Sequence, residues 1–149
     1  MTFHLTPRPD GREDVIAFAG NRAGFEQGVS EFHALLDRQT LAPRTRYRCE
    51  LVFEEVVSNI IRHGYTDDQE HRIWVTLAVD GDRVTLRFED DGVAFEPRQP
   101  APPPPEAPPD SDGGGRGLAL VRSVSERIDY ERTHHRNHLQ VTVATAIRQ

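Results

Sequence analysis

Between residues 63 and 73 the hydrophobic period of the chain changes from helical to strand-like, and few folds accommodate that change. Upstream, Phe25, Val29, Phe32, Leu35 and Leu36 recur at helical spacing, and Phe53, Val56, Val57, Ile60 and Ile61 do so again. Downstream, Ile73, Val75, Leu77 and Val79 alternate with Trp74, Thr76 and Ala78. After Asp80-Gly81, a hairpin signal, Val84, Leu86 and Phe88 alternate with Arg83, Thr85 and Arg87. Helices with one apolar stripe therefore precede a hairpin with one apolar face. Stripe and face must bury each other. The expected fold class is α+β, a mostly antiparallel sheet with helices on one face.

The boundaries follow from local chemistry. Two short strands are expected at 3–6 and 15–19, joined by a turn at Pro9-Asp10-Gly11. Asn21 can cap a helix running to about Arg38. Pro43 suits the first turn of a second helix, which Gly64 stops near His63. A third helix is expected to open at Gly117, with Leu118, Val121 and Val124 apolar, and strands at 127–131 and 139–147 close the chain. Residues 97–112 hold eight of the eleven prolines. They can neither pair in a sheet nor continue a helix, and patterned sequence resumes directly after them. They read as a long loop inside one domain spanning 1–149.

Composition narrows the function classes. A formal charge of −6, with no basic cluster, argues against direct nucleic-acid binding. No apolar run approaches a membrane span, and the first residues lack the apolar stretch of a signal peptide. Cys49 is the only cysteine, so no internal disulfide forms, and on a helix it reads as a small buried hydrophobe. A cytoplasmic protein is expected.

Three polar features stand out from this plan. On the second helix Glu55, Asn59 and His63 form a ridge beside the apolar stripe, while Glu54, Ser58 and Arg62 take the outer sector. Such a ridge is either a solvated flank or a place where carboxylate and carboxamide oxygens meet a hard cation such as Mg²⁺. Strand parity puts Asp90 on the buried face with Val84, Leu86 and Phe88. A buried carboxylate needs donors, from the following Asp91-Gly92 turn or from a ligand amine. Finally, Gly113-Gly114-Gly115-Arg116-Gly117 runs into a helix. There the backbone can approach an anion and the first turn offers amides, although a flexible hinge has the same composition. His134, His135 and His138 read as a surface turn, without the acidic or cysteine partners of a metal site.

Taken in order, Glu-x-x-x-Asn on a helix, strand-Asp-x-Gly, a long loop and Gly-x-Gly at a helix start resemble the GHKL (Bergerat-fold) ATPases, in particular the anti-sigma-factor serine/threonine kinases. Residues 55–65, EVVSNIIRHGY, are similar to that group's Glu-x-x-x-Asn-x-x-x-His-Gly-Tyr helix. DDGVAFEP, 90–97, resembles its Asp-x-Gly-x-Gly-Phe-x-Pro turn, with Ala94 in place of the second glycine. GGRGLALVRSVSERIDYE, 114–131, resembles its Gly-Arg-Gly-Leu helix and following strand.

The resemblance implies a Bergerat two-layer α/β sandwich that binds ATP with Mg²⁺. Asn59 would hold the Mg²⁺ that bridges the phosphates, and Glu55 would be base or orienter for the attacking hydroxyl. Asp90 would take the adenine amine, and Gly92 would let the turn fit against the nucleotide. Gly115, Gly117 and the adjoining Leu118 would offer the helix start to phosphate. Arg116 stands where it could reach phosphate, and residues 97–112 would be the ATP lid. The implied substrate is a small anti-anti-sigma protein of the STAS type. A sigma factor and a second copy of the chain are further partners among such proteins. The alternative is a non-catalytic, ATP-gated binding module. Ala94 and the proline-rich lid are its two supports, and the retained Glu55 speaks for the enzyme.

Overall fold

The computed structural model describes residues 14–65, 67, 69–81, 83–94 and 115–144. The chain order is β1 (Asp14–Ala19), α1 (Arg22–Asp37), α2 (Pro43–His63), β2 (Arg72–Asp80), β3 (Arg83–Asp90), α3 (Gly115–Ser123), β4 (Ser125–Thr133) and β5 (Arg136–Val143). The strands form one sheet in the order β1-β2-β3-β5-β4, with every pairing antiparallel. The expected strand at 3–6 and the lid at 97–112 lie outside the described residues.

The helix ends obey the sequence signals. Asn21 caps α1, its side-chain oxygen accepting from the Gly24 amide at 2.8 Å. Pro43 opens α2, and the Gly64 amide donates to the Ile60 carbonyl at its close. Phe53 of α2 lies at the centre of the core. It stacks on Phe32 of α1 and meets Phe18 of β1 and Phe88 of β3 at tilted angles. Around it, alternate residues of β1, β2, β3 and β5 are buried against the helices, including Ile16, Ile73, Val75, Leu86 and Val141. The helices thus cover one face of the sheet, as the change of period requires. Cys49 is fully buried, and burial pushes its thiol pKa up to about 12, as expected of a packing residue.

Three elements depart from the sequence reading by two residues or more. Helix α3 opens at Gly115 rather than Gly117, and Val124 falls just beyond its end. Strand β4 runs from Ser125 to Thr133, longer than 127–131. Strand β5 starts at Arg136, three residues before the expected start, and stops at Val143. Ala144 leaves the ladder: its amide donates to the Val124 carbonyl, and its own carbonyl accepts from Arg48.

Candidate functional site

Helix α2 supplies the first side of the site. Val52 is fully buried, Glu55 and Asn59 are half-buried, and His63 is exposed. The ridge therefore rises out of the core along the helix, with the carboxylate and the carboxamide at its margin.

The turn after β3 supplies the second side. Asp90 is 2% exposed, on the buried face that strand parity assigns it. Its Oδ2 accepts from the Gly92 amide at 2.8 Å and from Asn137 Nδ2 at 3.2 Å. Burial pushes the Asp90 carboxyl up, and these two donors pull it back. The turn amide is thus made, as the local alternative foresees, and Asn137 is an addition the sequence reading lacks. The turn also docks on the end of α2, where the Val93 amide donates to the Gly64 carbonyl at 2.7 Å. A Cβ at position 92 would lie 2.5 Å from that carbonyl oxygen and 2.8 Å from Asp90 Oδ2, so glycine is needed for packing alone.

That docking orders the site. Gly64 touches the turn that follows Asp90. At 1.5 Å per residue, Asn59 lies about 7.5 Å back along the helix axis and Glu55 about 6 Å beyond it. A ligand with its base at Asp90 and its phosphates along α2 would meet Asn59 before Glu55.

Gly115, Arg116 and Gly117 lie in the first turn of α3, which packs against α2. Leu118 is buried, 8% exposed, and as the fourth residue of α3 its amide bonds back within the helix, so the amides left for an anion are those of Gly115, Arg116 and Gly117. Ala94 is exposed, and among the described non-glycine residues only His134 and His135 have positive φ. The turn therefore passes position 94 without the backbone that would demand glycine. Among the described residues no three His, Cys, Asp or Glu side chains gather into a cation cage. A Mg²⁺ shared with substrate phosphates needs few protein oxygens, and the Asn59 carboxamide could give one. A cavity of about 600 Å³, lined by Asn21, Arg22, Tyr65, His71 and Arg72 among others, includes none of Glu55, Asn59, Asp90 or Gly92.

Four residues beside the site escape the sequence reading. Tyr130 and Arg132 on β4 and Asn137 on β5 form a cluster against the turn. The fourth, His71, braces the connection from α2 to β2. Its ring stacks on Tyr65, with Nε2 2.7 Å from Asp67 and Nδ1 2.9 Å from Asp91. With a carboxylate at each nitrogen both must donate, so the imidazolium is favoured. The Asp67 hydrogen bond raises the His71 pKa most; burial opposes it and Asp91 adds to it. This stabilisation is full below the ordinary histidine pKa and fades as pH rises through the raised one. The thermal-unfolding gap between wild type and His71→Ala is expected to narrow as pH rises from about 6 through the raised His71 pKa. A gap independent of pH would remove the imidazolium from this brace.

Comparison with known proteins identifies the family and the fold. Residues 25–143 match the histidine kinase-like ATPase domain. The chain is 33% identical over 117 residues to the serine/threonine-protein kinase BtrW of Bordetella bronchiseptica, covering 78% of this chain and 81% of that protein. It is 25% identical over 121 residues to the anti-sigma F factor of Oceanobacillus iheyensis, with the same two coverages. In fold it is similar to the histidine kinase domain of the blue-light activated histidine kinase of Erythrobacter litoralis EL346. That match has a TM-score of 0.53 and 16% identity, over 83% of this chain and 60% of that domain.

Proposed function

The chain belongs to the histidine kinase-like ATPase family, and on that ground we propose that it passes the γ-phosphoryl group of MgATP to a serine or threonine of a small STAS-type anti-anti-sigma protein. It is a serine/threonine kinase of the anti-sigma type, an assignment supported by its two named relatives. In this reading residues 1–149 are one ATPase domain, with 97–112 as its lid. The acceptor protein, a sigma factor released or held in exchange, and a second copy of the chain are its partners. The absence of any helix long and apolar enough to cross a membrane, among the described residues, suits a cytoplasmic regulator.

The observation that carries the reading is the order of groups along α2, from the Asp90 turn docked at Gly64 to Asn59 and then Glu55. Asp90 would accept from the adenine amine and fix the base. Asn59 would hold the cation with its carboxamide oxygen, and the first turn of α3 would offer the amides of Gly115, Arg116 and Gly117, with the Arg116 side chain as a further partner for phosphate. When bound, Mg²⁺ neutralises charge on the phosphates. Glu55 would sit beyond the phosphates and take or orient the proton of the incoming hydroxyl. Phosphoryl transfer asks mainly for positioning and electrostatics, which this arrangement supplies with one carboxylate and several donors.

The test is transfer of label from γ-labelled MgATP to protein in a soluble extract of the host. An acid-stable label on a small acceptor whose sequence is of the STAS type is the expected result. Confirmed ATP binding with no labelled acceptor would favour the ATP-gated binding module instead. Position 94 lends that alternative little, since its backbone is not in the left-handed region.

A further inference from the structure

We infer that Asn137, locked in orientation by Tyr130 and Arg132, is a positioning residue that holds Asp90 as a pure acceptor and so sets a preference for 6-amino over 6-oxo purines. This rests on the reading that Asp90 receives the base. Asn137 is 1% exposed and stands directly across the β3–β5 ladder from Asp90. A side-chain amide has one acceptor end and one donor end, so its rotation decides what its neighbour receives.

The surroundings leave one rotation. Asn137 Oδ1 accepts from the Tyr130 hydroxyl and from Arg132 Nη1, the latter at 3.0 Å. A guanidinium cannot accept and does not lose its charge, so the oxygen must face it. The opposite end then donates to Asp90 Oδ2 at 3.2 Å and to the Val93 carbonyl at 2.9 Å, with the Gly92 carbonyl at 3.4 Å. All three of those atoms are acceptors. Flipping the amide would set oxygen against three oxygens and an NH₂ group against a cation. Arg132 strengthens the lock with a 2.9 Å hydrogen bond to the Gly92 carbonyl.

Asp90 Oδ2 therefore meets two donors, the Gly92 amide and Asn137. A proton on that oxygen would face N–H groups, and both donors stabilise the ionised form against the opposing effect of burial. Oδ1 is the oxygen to which neither donor points. As part of an ionised carboxylate it can accept but not donate. It would pair with the exocyclic amine of adenine and repel the carbonyl oxygen of hypoxanthine. Sites built on one buried hydrogen bond discriminate strongly between such analogues.

The test is the ratio of dissociation constants for ATP and ITP, measured by calorimetry on wild type, Asn137→Leu and Arg132→Met. Thermal unfolding is followed alongside. Wild type is expected to favour ATP. Asn137→Leu removes the donor at similar volume and should lower the ATP:ITP preference about tenfold. Arg132→Met frees the amide to rotate and should lower it by a smaller factor. Arg132 is exposed, so this variant decides the matter if Asn137→Leu fails to fold. Equal weakening of both nucleotides, with the ratio kept, would reduce the cluster to a structural prop and overturn the inference alone. A wild type that binds no ATP, or binds both nucleotides equally, would overturn the Asp90 reading and this inference with it.

Discussion

Glu55→Ala is expected to bind MgATP as wild type does and to transfer its γ-phosphoryl group at least ~10²-fold more slowly. The two halves of that expectation have separate causes. Glu55 lies one helical turn beyond Asn59 and about two and a half turns from Gly64, where the Asp90 turn docks. It is therefore the ridge residue farthest from the base and its removal leaves the contacts at Asp90 and Asn59 untouched. Its side chain is half-buried at the rim of the core, so truncation opens no interior cavity and the fold should persist. What is lost, on the proposed reading, is a carboxylate where the acceptor hydroxyl would arrive. Single-turnover transfer with γ-labelled ATP, set against nucleotide affinity for the same protein, measures both halves. Glu55→Asp keeps the charge and withdraws it by one methylene, and misplacement on that scale can itself cost about 10²-fold. Transfer at the wild-type rate by Glu55→Ala would take Glu55 out of the chemistry.

Much of this arrangement is legible in the sequence because it rests on signals that act locally. Pro43 and Gly64 bound α2, Asn21 caps α1, and the alternation from Ile73 to Phe88 fixes which face of the hairpin is buried. The same alternation exposes Asp90 as a charge among apolar neighbours. Asn137 obeys the same rule, since it shares the parity of Leu139, Val141 and Val143. It escapes because the start of β5 is hidden. Thr133 pairs with Arg136 around a two-residue loop, His134-His135, in which both residues have positive φ. That is the backbone of a type I′ hairpin, which Asn-Gly or Asp-Gly normally announces. Two histidines announce nothing, so the strand reads as beginning at the first apolar residue, Leu139. Arg132 is invisible for a different reason. Its partner, the Gly92 carbonyl, lies 40 residues away, and only the ladder order β3-β5-β4 brings them together. The docking of Gly64 on Val93 likewise depends on how the layers stack, and no local pattern encodes it.

Asp90→Asn is expected to weaken ATP binding about 10²-fold while leaving the protein at least as stable as wild type near neutral pH. The side chains match in size, so the difference is one of hydrogen-bond sense. In one rotation the new amide oxygen takes the place of Oδ2 and keeps the Gly92 and Asn137 donors. Its NH₂ group then stands where, on the proposed reading, the adenine amine would come, donor against donor. In the other rotation the NH₂ group faces the Gly92 amide and Asn137 Nδ2, a conflict at a position only 2% exposed. The first rotation is therefore favoured, the fold is kept and the base is rejected. Stability moves the other way. Burial is the largest influence on the Asp90 carboxyl, and its folded-state pKa is raised. An acid with a raised folded pKa carries a penalty above that pKa, and the penalty disappears as pH falls through it. A neutral amide never incurs it. Thermal unfolding near neutral pH should place the variant level with wild type or above it, and the two should converge as the medium is acidified and wild-type Asp90 takes up its proton. The NH₂ group at the site of Oδ1 also complements a 6-oxo purine, so ITP should bind the variant better than ATP does. Unchanged ATP affinity would discard Asp90 as the base-reading group. Lost affinity in a protein that melts well below wild type would instead mark Asp90 as a keystone of the turn, because the donors on Oδ2 would then matter more to the fold than to the ligand.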